Sequence, residues 1–258
     1  MTHSEKYRRI LNRMGYYAYQ SGLIYNHLNQ EGGWDGHLSG CRNFIKRALE
    51  HFHPEIVTVL GSGWLLDLPL AEMLEDVKKI YLVDIIHPPE VIKQAGNLDK
   101  VVLIEKDITG GLIEEIWNAT RNTSVFNRLR SLDSIRVGEF IPDFEPGTVI
   151  SLNIITQLES QLLKWLKGRS RIREEKINDF RKQVQQKHLE FLKRHNSVLI
   201  TDYTEIVTKK SGQESITRTL LADLPEGILH DEWTWDFDLT GRENLNSQTV
   251  FKIISLAW

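Results

Sequence analysis

The sequence predicts an α/β fold, doubly wound around a mostly parallel, seven-stranded sheet with a C-terminal antiparallel hairpin and an N-terminal helical segment. Three observations carry that expectation. From residue 55 onward, short β-branched apolar runs alternate with helical stretches, the pattern of strands buried on both faces between crossover helices. The first run, Glu55 to Leu60, passes into Gly61-Ser62-Gly63, where two glycines without a Cβ allow a tight turn and a close backbone approach. The closing stretch breaks the alternation, because Ile228 to Phe237 and Thr249 to Ala257 are both β-rich with only a polar loop between them. With no room for a crossover helix, those two runs must pair antiparallel.

The elements follow in order. Residues 5 to 50 read as helical, with Tyr7, Ile10, Leu11 and Met14 on one face and Phe44, Ile45, Ala48 and Leu49 on another. Between them, Glu31-Gly32-Gly33 predicts a loop that gathers Trp34, Asp35 and His37. After the glycine turn, Asp67 is expected to cap the next helix and Pro69 to fall in its first turn. Ile80 to Val83 is a second buried strand ending on Asp84, and His87-Pro88-Pro89 breaks the chain before a short helix. Val101 to Ile104 is a third strand, followed by Asp107-Ile108-Thr109 at the head of a helix ending near Trp117. Residues 120 to 146 are polar, carry two prolines and read as a long loop. Thr148 to Leu152 is a fourth strand leading to Asn153, and Ser197 to Ile200 is a fifth, ending at Asp202-Tyr203. Between those two lies a charged helical stretch, Leu162 to His195, interrupted by Gly168.

A strand, a glycine turn, a helix and a second strand ending in an acid form a nucleotide-binding signature. Asp84, 21 residues beyond Gly63, is spaced to accept hydrogen bonds from ribose hydroxyls. Apolar content of 41% and charged content of 26% are those of an ordinary globular protein, and a net charge of −3 argues against an obligate nucleic-acid partner. One cysteine, Cys41, rules out an internal disulfide and a multi-cysteine zinc site, and no metal-ligand spacing is evident. No apolar run reaches the roughly 18 residues of a membrane span, and the N-terminus lacks a signal-peptide core. A cytoplasmic protein is expected.

Taken together, Leu60-Gly61-Ser62-Gly63, Val83-Asp84, Lys106-Asp107-Ile108, Ser151-Leu152-Asn153 and the closing hairpin resemble the class I S-adenosylmethionine-dependent methyltransferases. The runs Val83 to Pro88 and Leu152 to Gln157 resemble a bacterial subgroup of that family. The resemblance covers residues 55–258 and implies one Rossmann-like domain there, behind a 1–54 helical lid. It implies S-adenosylmethionine as cofactor and S-adenosylhomocysteine as product. Gly61, Ser62 and Gly63 would lie under the methionine part, Asp84 would bind the ribose, Asp107 and Ile108 would hold the adenine, and Asn153 would face the methyl group. Two positions depart from the family pattern: Val59 stands where an acid is common, and Trp64-Leu65-Leu66 where a third glycine is usual.

Methyl transfer chiefly requires the nucleophile to be held close and aligned, with a base only when the acceptor must lose a proton. Candidates for that base are His37, His27, Asp202 and Tyr203, each of which also has an ordinary structural role open to it. His37 leads, because its loop would lie over the crevice beside Trp34. Tyr16, Tyr17, Tyr19 and Tyr25 either line a substrate pocket or pack between helices. The expected activity is methylation of a small-molecule oxygen or nitrogen. Three other readings stay open. Lys164 to Arg194 holds eleven Lys or Arg against four Asp or Glu, a patch suited to a solvated helix or to guiding RNA or protein substrates. A catalytically silent cofactor-binding fold is another. A nicotinamide-dependent dehydrogenase is the third, although Leu66 stands where its fingerprint needs a glycine.

Overall fold

The computed structural model describes residues 3–30, 32–124, 127–241 and 246–258. Glu31 of the expected glycine loop and residues 242–245 of the expected hairpin loop lie outside the described residues. Three helices lead: α1 (Glu5–Arg13), capped by the Ser4 hydroxyl, α2 (Tyr16–Leu28) and α3 (Asp35–Phe52). Strands and helices then alternate as β1 (Ile56–Leu60), α4 (Leu70–Asp76), β2 (Lys79–Asp84), α5 (Pro89–Ala95), β3 (Val101–Glu105), α6 (Leu112–Thr120) and β4 (Thr148–Leu152). Two helices, α7 (Ser160–Leu166) and α8 (Glu174–Leu192), precede β5 (Ser197–Lys209). The chain closes with β6 (Glu214–Arg218), β7 (Leu229–Asp238) and β8 (Ser247–Ala257).

The sheet order is β3-β2-β1-β4-β5-β8-β7, with β1 to β5 parallel and β8 antiparallel to both β5 and β7. The chain winds outward from β1 to β3, returns to β4 on the other side of β1, and winds outward again. The carboxyl ends of β1 and β4 therefore flank the switch point, where sheets of this kind bind ligands.

Alternation along each central strand splits the core into two layers. Val57, Val59, Ile80, Leu82, Ile150 and Leu152 pack beneath α3, α4 and α5. Leu60, Tyr81, Val83, Val149 and Leu199 pack beneath α1, α6, α7 and α8. α3 thus belongs to a core layer, with Phe44, Ile45 and Ala48 fully buried against the sheet.

Several local expectations are corrected. The sheet has eight strands, because β5 runs on to Lys209 and its far half pairs β6 on the side that β4 has vacated. Residues 214–218 are exposed throughout and carry no burial pattern to announce a strand. Helix α4 begins only at Leu70, so Pro69 precedes its first turn and Asp67 does not cap it. α6 starts at Leu112 rather than at Ile108, whereas the expected interruption of the 162–195 stretch at Gly168 (φ +82°) is present between α7 and α8. His37 lies in the first turn of α3 and not in a loop. Among the described residues no helix is long and apolar enough to cross a membrane.

Candidate functional site

At the end of β1 the chain turns through Gly61 (φ +81°) and Gly63 (φ +50°). A Cβ on Gly61 would lie 2.7 Å from Ile154 Cβ and 2.8 Å from the Leu152 carbonyl, so no side chain fits where this turn crosses the end of β4. The Gly63 N–H donates to Asp84 Oδ2 and the Ile85 N–H to Oδ1, each at 2.7 Å. A carboxylate at the end of β2 is thereby fixed against the turn after β1, with its remaining lone pairs toward the crevice. Leu65, where the family pattern has glycine, keeps a left-handed backbone (φ +61°) while burying its side chain. That conformation costs an L-residue roughly 1–2 kcal/mol, which the buried leucine side chain offsets.

A hollow of about 130 Å³ opens above these strand ends, bordered by Gly61, Gly63, Asp84, Asn153 and His37. A smaller lobe of about 50 Å³ shares Gly61 and Asp84 with it and is bordered by Asp107, Ile108 and Thr109. The cofactor residues expected from the sequence therefore meet in one two-lobed crevice, with one exception. Ser62 is fully buried behind the turn and borders neither lobe. Asp107 does not cap α6. Its Oδ1 accepts the Thr109 N–H at 2.8 Å, and its Oδ2 accepts the Tyr7 hydroxyl of α1 at 3.2 Å.

α2 roofs the crevice, and the segments before α1 and α2 are tied to its rim. His3 Nε2 sits 2.9 Å from the Ile85 carbonyl, Trp64 Nε1 donates to the Gln20 carbonyl at 2.9 Å, and Gln161 Nε2 donates to the Gly15 carbonyl at 2.9 Å. Tyr16 and Tyr19 face the hollow, whereas Tyr17 and Tyr25 are exposed.

His37 is buried and stacked on Trp235, with ring centres 3.9 Å apart and planes within 5°. Burial pulls its pKa down to about 3, so the ring is neutral. Its Nδ1 accepts from the Trp233 indole N–H at 3.1 Å. An indole nitrogen only donates, so the ring proton must sit on Nε2. Nε2 faces Cys41 Sγ at 3.5 Å and the Asn153 amide at 3.0 Å. Asn153, in a left-handed conformation (φ +51°), donates from Nδ2 to Asp67 Oδ2 at 2.8 Å. Burial pushes Asp67 up to about 6 and raises the Cys41 thiol well above its usual range.

The donor atoms of His37, Cys41 and Asp67 lie within 4.8 Å of one another, a set that sequence spacing did not reveal because Asp67 is remote from α3. The set is unsuited to a metal. A ligating histidine donates its second N–H to an acceptor, and here the second nitrogen faces a donor. The same proton on Nε2 makes His37 a donor, with Cys41 Sγ as the acceptor in reach. The other base candidates lie elsewhere: His27 packs against Trp34, Asp202 accepts from Thr156 Oγ1 at 2.5 Å, and Tyr203 donates to Glu232 at 3.0 Å.

Part of the basic stretch is paired in place. Arg181 pairs with Glu159 at 3.2 Å, Lys182 with Asp223 at 3.2 Å, Lys187 with Glu190 at 2.7 Å, and Arg194 with Glu139.

No protein-family model matches the sequence, and no curated protein matches it. Among solved structures, the chain is similar to the DhpI–S-adenosylhomocysteine complex at 11% identity and a TM-score of 0.38, covering 95% of each chain. It is similar to the N-methyltransferase NodS from Bradyrhizobium japonicum, in complex with S-adenosylhomocysteine, at 7% identity and 0.41, covering 92% of this chain and 97% of that one. A third is the Burkholderia thailandensis 1,6-didemethyltoxoflavin-N1-methyltransferase, at 10% identity and 0.40, covering 99% of this chain and 91% of that one. Likeness at this level transfers neither ligand nor activity to this chain.

Proposed function

We propose that this chain is an S-adenosylmethionine-dependent methyltransferase acting on a small-molecule oxygen or nitrogen, in the cytoplasm. The observation that carries the reading is Asp84, pinned by two backbone N–H groups beside the Gly61 turn at the switch point of the sheet. A carboxylate there suits a ribose diol, and the smaller lobe beyond it, with Asp107 and the apolar Ile108, suits a base with an exocyclic amine. The larger lobe then receives the amino-acid end of the cofactor and the acceptor. Bound there, S-adenosylmethionine supplies an electrophilic methyl group and is left as S-adenosylhomocysteine.

The chain's own part is to hold, align and keep dry. Gly61 and Gly63 let the ligand lie against bare backbone, and Asn153 stands at the end of β4 beside the transfer site. His37, neutral and locked by Trp233 and Trp235, packs behind the Asn153 side chain, whose amide is held by Asp67. α1 and α2 act as a lid that excludes water from the reacting centre. Alignment of this kind can supply roughly 7–11 kcal/mol of the barrier reduction. The crevice over Asn153, walled by Tyr16, Tyr19, Trp64 and Trp235, favours a small acceptor over RNA.

Calorimetric titration with S-adenosylmethionine, beside NAD and with Asp84→Ala, tests the reading. Micromolar binding of S-adenosylmethionine alone, lost in the variant, is expected. Equal or tighter binding of NAD, or no binding of either, overturns it.

A further inference from the structure

The larger lobe has a one-sided chemistry. Trp34, Trp64, Trp235, Tyr16 and Tyr19 give it aromatic walls, and among the described residues no lysine or arginine borders it. Two carboxylates do, Asp84 and Asp67. Asp84 has both oxygens engaged by backbone N–H groups at the place assigned to the ribose. Asp67 is the carboxylate left over. It stands at the wall shared with Asn153 and His37, and the neutral His37 adds no positive charge to it; Arg42, whose charge acts on Asp67 from outside the lobe, has its guanidinium on the Leu66 carbonyl.

An anionic acceptor would bring a further negative charge beside Asp67, at a wall that no lysine or arginine borders among the described residues. A cation, or a base that can become one, meets aromatic faces and a carboxylate together, the usual surroundings of a bound ammonium. Resting on the methyltransferase reading, we infer that the acceptor is an amine and that Asp67 is its counter-ion and proton acceptor. The amine enters as its ammonium and passes one proton to the Asp67 carboxylate. That leaves its nitrogen lone pair free for methylation, and the proton leaves Asp67 for solvent when product departs. The raised affinity of Asp67 for a proton, caused by burial, suits that exchange.

The alternative occupant of Asp67 is the α-ammonium of the cofactor itself, which S-adenosylhomocysteine also carries, so the two can be separated. Benzylamine and benzoate, equal in shape and opposite in charge, are titrated near neutral pH into protein saturated with S-adenosylhomocysteine. The tryptophan fluorescence of the lobe reports binding. Benzylamine should bind at least about tenfold more tightly than benzoate. Asp67→Asn should erase that preference while changing S-adenosylhomocysteine affinity by less than about threefold, and Asp67→Glu should restore part of it. Equal binding of the two probes overturns the inference. So does a loss of about tenfold or more in S-adenosylhomocysteine affinity for Asp67→Asn, which would assign Asp67 to the cofactor. If the wild type takes no S-adenosylhomocysteine, the methyltransferase reading fails first and this inference with it.

Discussion

Gly61 has less latitude than any other residue of the crevice. Its backbone is left-handed, and the space a Cβ would need is already filled by Ile154 and the end of β4. Gly61→Ala should cost roughly 1–3 kcal/mol by overpacking, read as a lower urea midpoint, and should abolish binding of S-adenosylhomocysteine. Buried titratable groups set the response to pH. His188, hydrogen-bonded to the Ser151 hydroxyl at 2.8 Å, has its pKa lowered by burial from 6.5 to about 4. Below pH 6.5 the unfolded chain takes up a proton that the folded chain refuses, so this group's contribution is complete above 6.5 and lost as pH falls toward 4. Glu159 runs the other way: burial raises it from 4.5 to about 7 against the pull of Arg181, so its contribution is complete below 4.5 and lost as pH rises through 7. Melting curves between those limits should show His188→Gln gaining on the wild type as pH falls. Glu159→Gln should gain on it as pH rises.

Among the elements, α1 carries a specific duty. It packs Ile10 and Leu11 into the core, yet its contact with the crevice runs through one hydroxyl, Tyr7 to Asp107. Tyr7→Phe removes that bond and leaves the ring packed. The melting temperature should move little, while stopped-flow release of S-adenosylhomocysteine should quicken by roughly fivefold, the equivalent of one hydrogen bond of about 1 kcal/mol. An unchanged release rate would mean that the roof does not gate the site. α3 is constrained differently. Its first turn supplies His37 to the site and its remaining turns supply Phe44 and Ile45 to the core. β7 braces it from the side, through Trp233 on His37 and Trp235 stacked against the ring. The terminal strands are therefore part of the site's wall as well as the sheet's edge.

For the whole molecule, ligand binding and stability are linked. The crevice joins the carboxyl ends of β1, β2 and β4 to α2 and α3, so a ligand that fills it clamps the N-terminal helices to the sheet. At a hundredfold excess over its Kd, S-adenosylhomocysteine should stabilise the folded state by about 2.7 kcal/mol, a rise of roughly 5–10 °C in melting temperature for a domain of this size. Asp84→Ala should melt lower than the wild type and show no rise, because removing the carboxylate leaves the Gly63 and Ile85 N–H groups without their partner at about 1–3 kcal/mol.

The alternation of buried strands and helices, the switch point it creates and the antiparallel closing pair were all legible in the sequence, because burial on both faces writes continuous apolar runs such as Ile80 to Val83. The glycine turn and Asp84 were legible for a related reason: both belong to one local strand–turn–helix–strand unit whose geometry spacing constrains. β6 and the far half of β5 were not, since strands exposed at an edge need no hydrophobic period. Nor was the wall of the larger lobe. His37 from α3, Asp67 from the turn, Asn153 from β4 and Trp233 from β7 are far apart along the chain, and only the packing of α3 against β7 across the end of the sheet brings them within hydrogen-bonding reach. Local periodicity determined the scaffold. Which proton His37 carries, and which carboxylate stands beside Asn153, depended on contacts between elements that no local pattern encodes.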